Sequence, residues 1–221
     1  MQRMSWRSSG GRIFTAVVFT LFVPSLLIAG KGFVKPVAKT AFNYPAHDLH
    51  RDEKVSIAAD PYDNPEKAKI FTINFADHGF LPIFFIVTND GDQPVSIANM
   101  RIKLITGNRS KLTPIDSDDL YRRLSNPQAK TSTNIPLPFP RKVKGGVTKQ
   151  QMEEIESSQF AARAVEPHTT QSGFVFFDVS DLNSPLRNAT IDISGLADAK
   201  GNELLFFEIQ MDNYLNAPQN P

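Results

Sequence analysis

The stretch FLPIFFIVTN, residues 80–89, restricts the possible folds of this chain more than any other. It is apolar from Phe80 to Val87, with no polar position to mark a wet face, so it predicts a central strand buried on both sides. Pro82 lies near its start, where a missing N–H is tolerated.

Other strand signals surround it. KVSIAA (54–59) alternates Val55 and Ile57 with polar neighbours. KIFTINF (69–75) alternates strictly, placing Phe71, Ile73 and Phe75 on one face of an expected strand. NDGD (89–92) carries the chemistry of a tight hairpin turn, and PVSIANMRIKLIT after it reads as a strand with one wet face, set by Arg101 and Lys103. GFVFFDV (173–179), ATIDISG (189–195) and ELLFFEIQM (203–211) resume the pattern, with DAKGN as the turn between the last two. Two helices are expected. DSDDLYRRL (116–124) has acids at its start and arginines near its end, as the helix dipole favours, and TKQQMEEIESSQFAARA (148–164) opens on a Thr148/Gln151 capping box. Between them SNPQAKTSTNIPLPFPRKVKGGV (125–147) is proline-rich, with a basic run and Gly145-Gly146. It predicts an extended loop that takes no part in the core.

The first 30 residues read as a secretory signal. Arg3, Arg7 and Arg12 precede an apolar run from Ile13 to Gly30, interrupted by Pro24, that ends on Ala29 and Gly30. Left uncleaved, the run has the length of a marginal membrane anchor. Without those three arginines, 21 basic side chains face 23 acidic ones, which offers no electrostatic case for nucleic acid. The absence of cysteine excludes a disulfide framework, a thiol nucleophile and a Cys-ligated zinc site. The expected organisation is a signal at 1–30, an irregular segment at 31–53, one β-sandwich domain at 54–211 and a flexible tail at 212–221. A helical and proline-rich insertion at about 107–164 interrupts the sandwich.

VEPHTTQSGFVFFDV (165–179), a Pro-containing turn followed by small polar residues, Gly and an aromatic strand, resembles the late strands of exported bacterial immunoglobulin-like domains. In that class such a strand pairs with an IVTNDGDQPV-type hairpin. The resemblance covers roughly 54–106 and 165–211, without the Cys pair or strand Trp of antibody-type domains. It implies a mainly β, antiparallel immunoglobulin-like sandwich, and it fixes no chemistry.

HDLHRDE (47–53) is the densest run of potential metal ligands: His47, Asp48, His50, Asp52 and Glu53. Its histidines are three apart, unlike the helical HExxH spacing, and the run reads as polar lead-in to a strand. His78 and His168 lie beside turns; should strands 80–89 and 173–179 be neighbours, both would approach one end of the sandwich. Asp60, Asp63 and Glu66 in DPYDNPE, and Asn89, Asp90 and Asp92 in NDGD, fit turn chemistry better than the EF-hand ligand series. Asp178 and Glu208 are isolated carboxylates on Phe-rich strands, expected to face solvent or cap a neighbour. Asn108 and Asn188 head glycosylation sequons. There is no GxSxG, SxxK or P-loop motif.

The sequence therefore points to a periplasmic or secreted, non-enzymatic binding or assembly module with no cofactor, no metal site and no catalytic residue. Its expected partner is another envelope protein; nucleic acid is not expected, and the membrane only through an uncleaved signal. If the module has a binding surface, the loop IPLPFP (135–140), with Phe139, and RKVK (141–144) are the place to look, although such an insertion reads first as a tolerated surface loop. The alternative is a metal-binding periplasmic protein or metal-dependent hydrolase that gathers His47, His50, His78 and His168.

Overall fold

A computed structural model describes residues 32–126 and 147–218. In it β3 (Phe80–Asn89) is buried along all ten residues, as the apolar run predicts. It lies between β2 (Val55–Pro61) and β8 (Thr169–Asp178), and β1 (His47–His50) extends the sheet beyond β2. All pairings in this four-stranded sheet are antiparallel. A second antiparallel sheet is built from β5 (Arg101–Ile105), β6 (Lys111–Leu112), β9 (Thr190–Ser194) and β10 (Phe207–Gln210), in the order β10-β9-β5-β6. The short strands β4 (Val95–Ser96) and β7 (Ala164–Val165) pair with each other.

The two faces of β3 serve two different cores. Leu81, Ile83, Phe85 and Val87 point toward the second sheet and pack with Ile57, Ile102, Leu104, Ile191, Ile193, Phe207 and Ile209. Phe80, Phe84 and Ile86 point the other way, to a core of Phe174 and Phe176 roofed by Phe71, Ile73, Phe75, Leu120, Leu124 and Ile155. The strict alternation follows from the period of two in a strand, and a slip of one residue would exchange the two sets.

The roof of the outer core comes from segments the sequence places elsewhere. KIFTINF (69–75) is not a strand: Phe71, Ile73 and Phe75 are buried, but no ladder forms. The N–H groups of Thr72 and Ile73 donate instead to the buried carboxylate of Glu154, at 3.0–3.4 Å, and the Thr72 hydroxyl donates there too. Glu154 belongs to α3 (Lys149–Ser158), which opens on the Thr148/Gln151 capping box and stops well short of residue 164. With α2 (Ser117–Ser125), capped by Asp116, this helix contributes Leu120, Leu124 and Ile155 to the core. The described part of the insertion is thus an integral layer of the fold. The chain after α3 runs along the outer edge of β8, where Phe160 N–H donates to Phe174 O at 3.0 Å. Gly173 permits this approach, since a Cβ there would lie 2.5 Å from Phe160 Cα.

Three other expectations are corrected. NDGD makes no hairpin on β3, whose two neighbours are β2 and β8; the Asn89 side chain bonds Gln93 O, Val165 O and Gly91 N, and the chain crosses to the second sheet. Residues 31–53 are not wholly irregular, because they hold a 3-10 turn at Ala41–Asn43 and the edge strand β1. Residues 212–221 are not a free tail throughout: Asp212–Leu215 form a helical turn, α4, with Tyr214 buried and its hydroxyl 2.7 Å from Asp63. The loop residues 135–144, the signal and the last residues of the tail lie outside the described residues.

Candidate functional site

The run HDLHRDE folds as β1 and the turn after it, at the edge where the first sheet meets β10 of the second. His50 lies flat on the Phe207 ring, with centroids 3.8 Å apart, and its Nδ1 is 2.8 Å from Glu53. Asp48 is 3.3 Å from His50 Nε2 and accepts the Glu208 N–H at 2.9 Å. Glu53 accepts the Leu205 N–H at 2.9 Å. These side chains hold strand β10 against β1 and satisfy backbone donors that no strand pairs. His47 faces elsewhere, with Nδ1 2.6 Å from Tyr44 O.

The other two histidines do not join them. Strands β3 and β8 are neighbours, yet the pairing is antiparallel, with Phe80 opposite Asp178 and Asn89 opposite Thr169. His78 and His168 are therefore at opposite ends of the ladder, about 30 Å apart at the usual rise per residue. His168 occupies a left-handed turn position (φ 57°) beside Asp92. Among the described residues no group of three His, Asp or Glu side chains is placed to share a metal ion, so the constellation that the hydrolase alternative requires is not assembled there.

The remaining carboxylates have separate partners. Asp178 takes Arg123 at 2.6 Å, and Glu208 takes the Gln210 amide at 2.5 Å on the other sheet. Burial opposes the charge on Asp178, but the Arg123 guanidinium and the hydroxyl and N–H of Ser180 outweigh it and hold the carboxyl at about 2. Asp92 pairs with Lys54, and Glu66 with Lys69. Asn108 is exposed on the turn before β6, and Asn188 is exposed before β9.

A different constellation forms where β2 ends. Pro61 breaks the strand, Asn64 caps the short helix α1 (Pro65–Ala68) through the Glu66 N–H, and this turn carries Lys67 back over the sheet end. The Lys67 ammonium is 2.5 Å from Asp60 Oδ1 and sits 4.8 Å above the Tyr62 ring and 4.9 Å from the Tyr214 ring. Asp60 and Lys67 side chains keep only 15% and 26% of their exposure. Beside them opens a groove of about 640 Å³ whose walls include Lys39, Tyr44, Asp60, Lys67 and Tyr214. Three of the chain's four tyrosines thus lie near the Asp60–Lys67 pair, Tyr44 and Tyr214 in the groove wall and Tyr62 and Tyr214 with their rings toward the ammonium. Burial raises the Asp60 carboxyl above the ordinary range; Lys67 offsets this only in part, and neighbouring Asp63 adds to it. Burial and the nearby carboxylates also push the Tyr62 and Tyr214 hydroxyls upward, so both rings stay neutral.

Asp60 and the Tyr62 and Tyr214 rings thus hold the Lys67 ammonium through charge pairing and the ring quadrupole, which is the chemistry that recognises an organic ammonium. The sequence hid this cluster, because Tyr44, Asp60, Lys67 and Tyr214 are spread over 170 residues. Its one local sign was DPYDNPEK, read as turn chemistry, which it also is. No family model, no curated protein and no solved structure matches this chain.

Proposed function

We propose that the chain is an exported, non-catalytic binding module of the bacterial envelope, built on an immunoglobulin-like sandwich, with the Tyr44–Asp60–Tyr214 groove as its recognition surface. The strand connectivity supports the fold reading. Pairing of β2 with β3 and β3 with β8, set against β5 with β9 and β9 with β10, follows the A-B-E and C-F-G order of that class. The signal-like first 30 residues support export. The observation that carries the binding reading is a part-buried Asp60–Lys67 pair set in the wall of an open groove that Tyr44 and Tyr214 also line. Asp60 is shared with Lys67 through one oxygen, and the groove side accepts the ammonium of an incoming partner.

The test is a titration with n-butylammonium, followed through the ring resonances of Tyr44, Tyr62 and Tyr214. The reading predicts saturable shifts of these rings, lost in Asp60→Asn. Shifts spread evenly over all four tyrosines, or none at all, would contradict it.

A further inference from the structure

The first described residues carry a second surface. Gly32–Ala46, GFVKPVAKTAFNYPA, contains two lysines and no acid. Its inner side is fixed on the outer core: Phe33 stacks on Phe71 at 5.3 Å, and Ala38 and Ala41 pack beneath. Its outer side is apolar as well. Val34, Val37 and Phe42 keep 76%, 94% and 48% of their exposure, which places three of the seven large exposed hydrophobics of the described residues within nine positions. Lys35 and Lys39 alternate with them and are exposed. Lys35 reaches only the Ser172 carbonyl, at 3.3 Å, and neither lysine has a carboxylate partner among the described residues.

Exposed apolar side chains are ordinary singly, but a group interleaved with uncompensated lysines is the pattern of a surface that meets anionic lipid. The position in the chain selects this occupant over a protein. The strip directly follows the apolar run Ile13–Gly30 and Lys31, so while that run is in a bilayer the strip is within a few residues of its surface. We infer that the outer side of residues 34–42 lies on an anionic bilayer surface, with Val34, Val37 and Phe42 dipping into the headgroup layer and Lys35 and Lys39 pairing with lipid phosphates. This does not depend on the reading of the groove, with which it shares only Lys39.

The absence of cysteine allows a direct test. A single cysteine placed by Val37→Cys, Phe42→Cys or, as a comparator, Leu205→Cys in the full chain carries an environment-sensitive nitrobenzoxadiazole probe. The chain is reconstituted in phosphatidylcholine vesicles with or without phosphatidylglycerol, each containing nitroxide-labelled lipid. The inference predicts blue-shifted, nitroxide-quenched probes at 37 and 42 on phosphatidylglycerol vesicles and a solvent-like probe at 205. It also predicts that Lys35→Gln with Lys39→Gln lowers the bound fraction of the strip about tenfold, because each lysine near the surface contributes on the scale of a few-fold in partitioning. Quenching at 37 that is the same on neutral vesicles and indifferent to the lysines would overturn it. So would a probe at 37 that stays in water, or one shielded without lipid quenching, which marks a protein contact.

Discussion

The imidazole of His50 stacks on the ring of Phe207 with 14° between their planes, and this pair joins the edge strand of one sheet to the edge strand of the other. A part-buried ring stacked on a buried partner is worth more than a solvated lead-in residue. We expect His50→Ala to cost about 1–2 kcal/mol, and His47→Ala, whose ring contacts only local backbone, about 0.5 kcal/mol. Urea denaturation with and without a chelator checks this. A midpoint that falls on chelation in the parent but not in His50→Ala would mean that a metal, not the stack, supplies the stability.

Asp178 and Asp60 shape acid stability in opposite directions. The Asp178 carboxyl is held at about 2 in the fold, below its ordinary value, so its contribution is present above about pH 4 and is lost as pH falls toward 2. Because the side chain keeps 38% exposure, solvent screening limits the effect, to about 1 kcal/mol. Asp60 is raised, so its contribution is full below the ordinary carboxylate value and fades as pH rises through the raised one. Denaturation midpoints between pH 2 and 6 for Asp178→Asn and Asp60→Asn should show the two limbs removed separately. Identical profiles for both variants would refute the assignment.

Much of the fold was legible because side-chain period reports burial directly. The unbroken run Phe80–Val87 identified a strand with two dry faces, and Thr148 with Gln151 identified a helix start. The same signal misled at 69–75, where Phe71, Ile73 and Phe75 alternate as in a strand. Period two requires only an extended chain with one dry side; whether a ladder forms depends on where the N–H groups go, and here they go to Glu154, about 80 residues away in sequence. The groove was illegible for a similar reason. Tyr214 meets Asp63 and Lys67 only because the chain after β10 turns into α4, and no local pattern encodes that return.

Glu154 supplies a test of the roof. It is buried, has no cationic partner among the described residues, and is stabilised by the N–H and hydroxyl of Thr72 and the N–H of Ile73. Glu154→Ala should cost about 2–3 kcal/mol, and Glu154→Gln less. Hydrogen exchange should accelerate at Thr72 and Ile73 before it does so in β3. Unchanged protection there would mean the carboxylate does not hold the segment.

The two-sided burial of β3 makes a paired prediction. Phe84→Ala opens the outer core and Phe85→Ala the inner one, and each should cost about 3–5 kcal/mol. They open different cores but share one strand, so the departure from additivity in the double variant reads the coupling carried through the β3 backbone. A near-neutral Phe84→Ala would show that the helical layer does not cover the sheet.

The most direct measurement of the binding account separates recognition from stability at Tyr44, which lines the groove without touching the Lys67 pair through any bond. Calorimetric titration of n-butylammonium into the parent chain and Tyr44→Leu, alongside their denaturation midpoints, reads both. The account predicts saturable binding in the parent, weakened about fivefold by loss of the ring at a cation–π cost near 1 kcal/mol, with a stability loss below about 1.5 kcal/mol. A parent chain that binds no amine, or a Tyr44→Leu chain that binds it equally well, would contradict the claim that this groove is the recognition site.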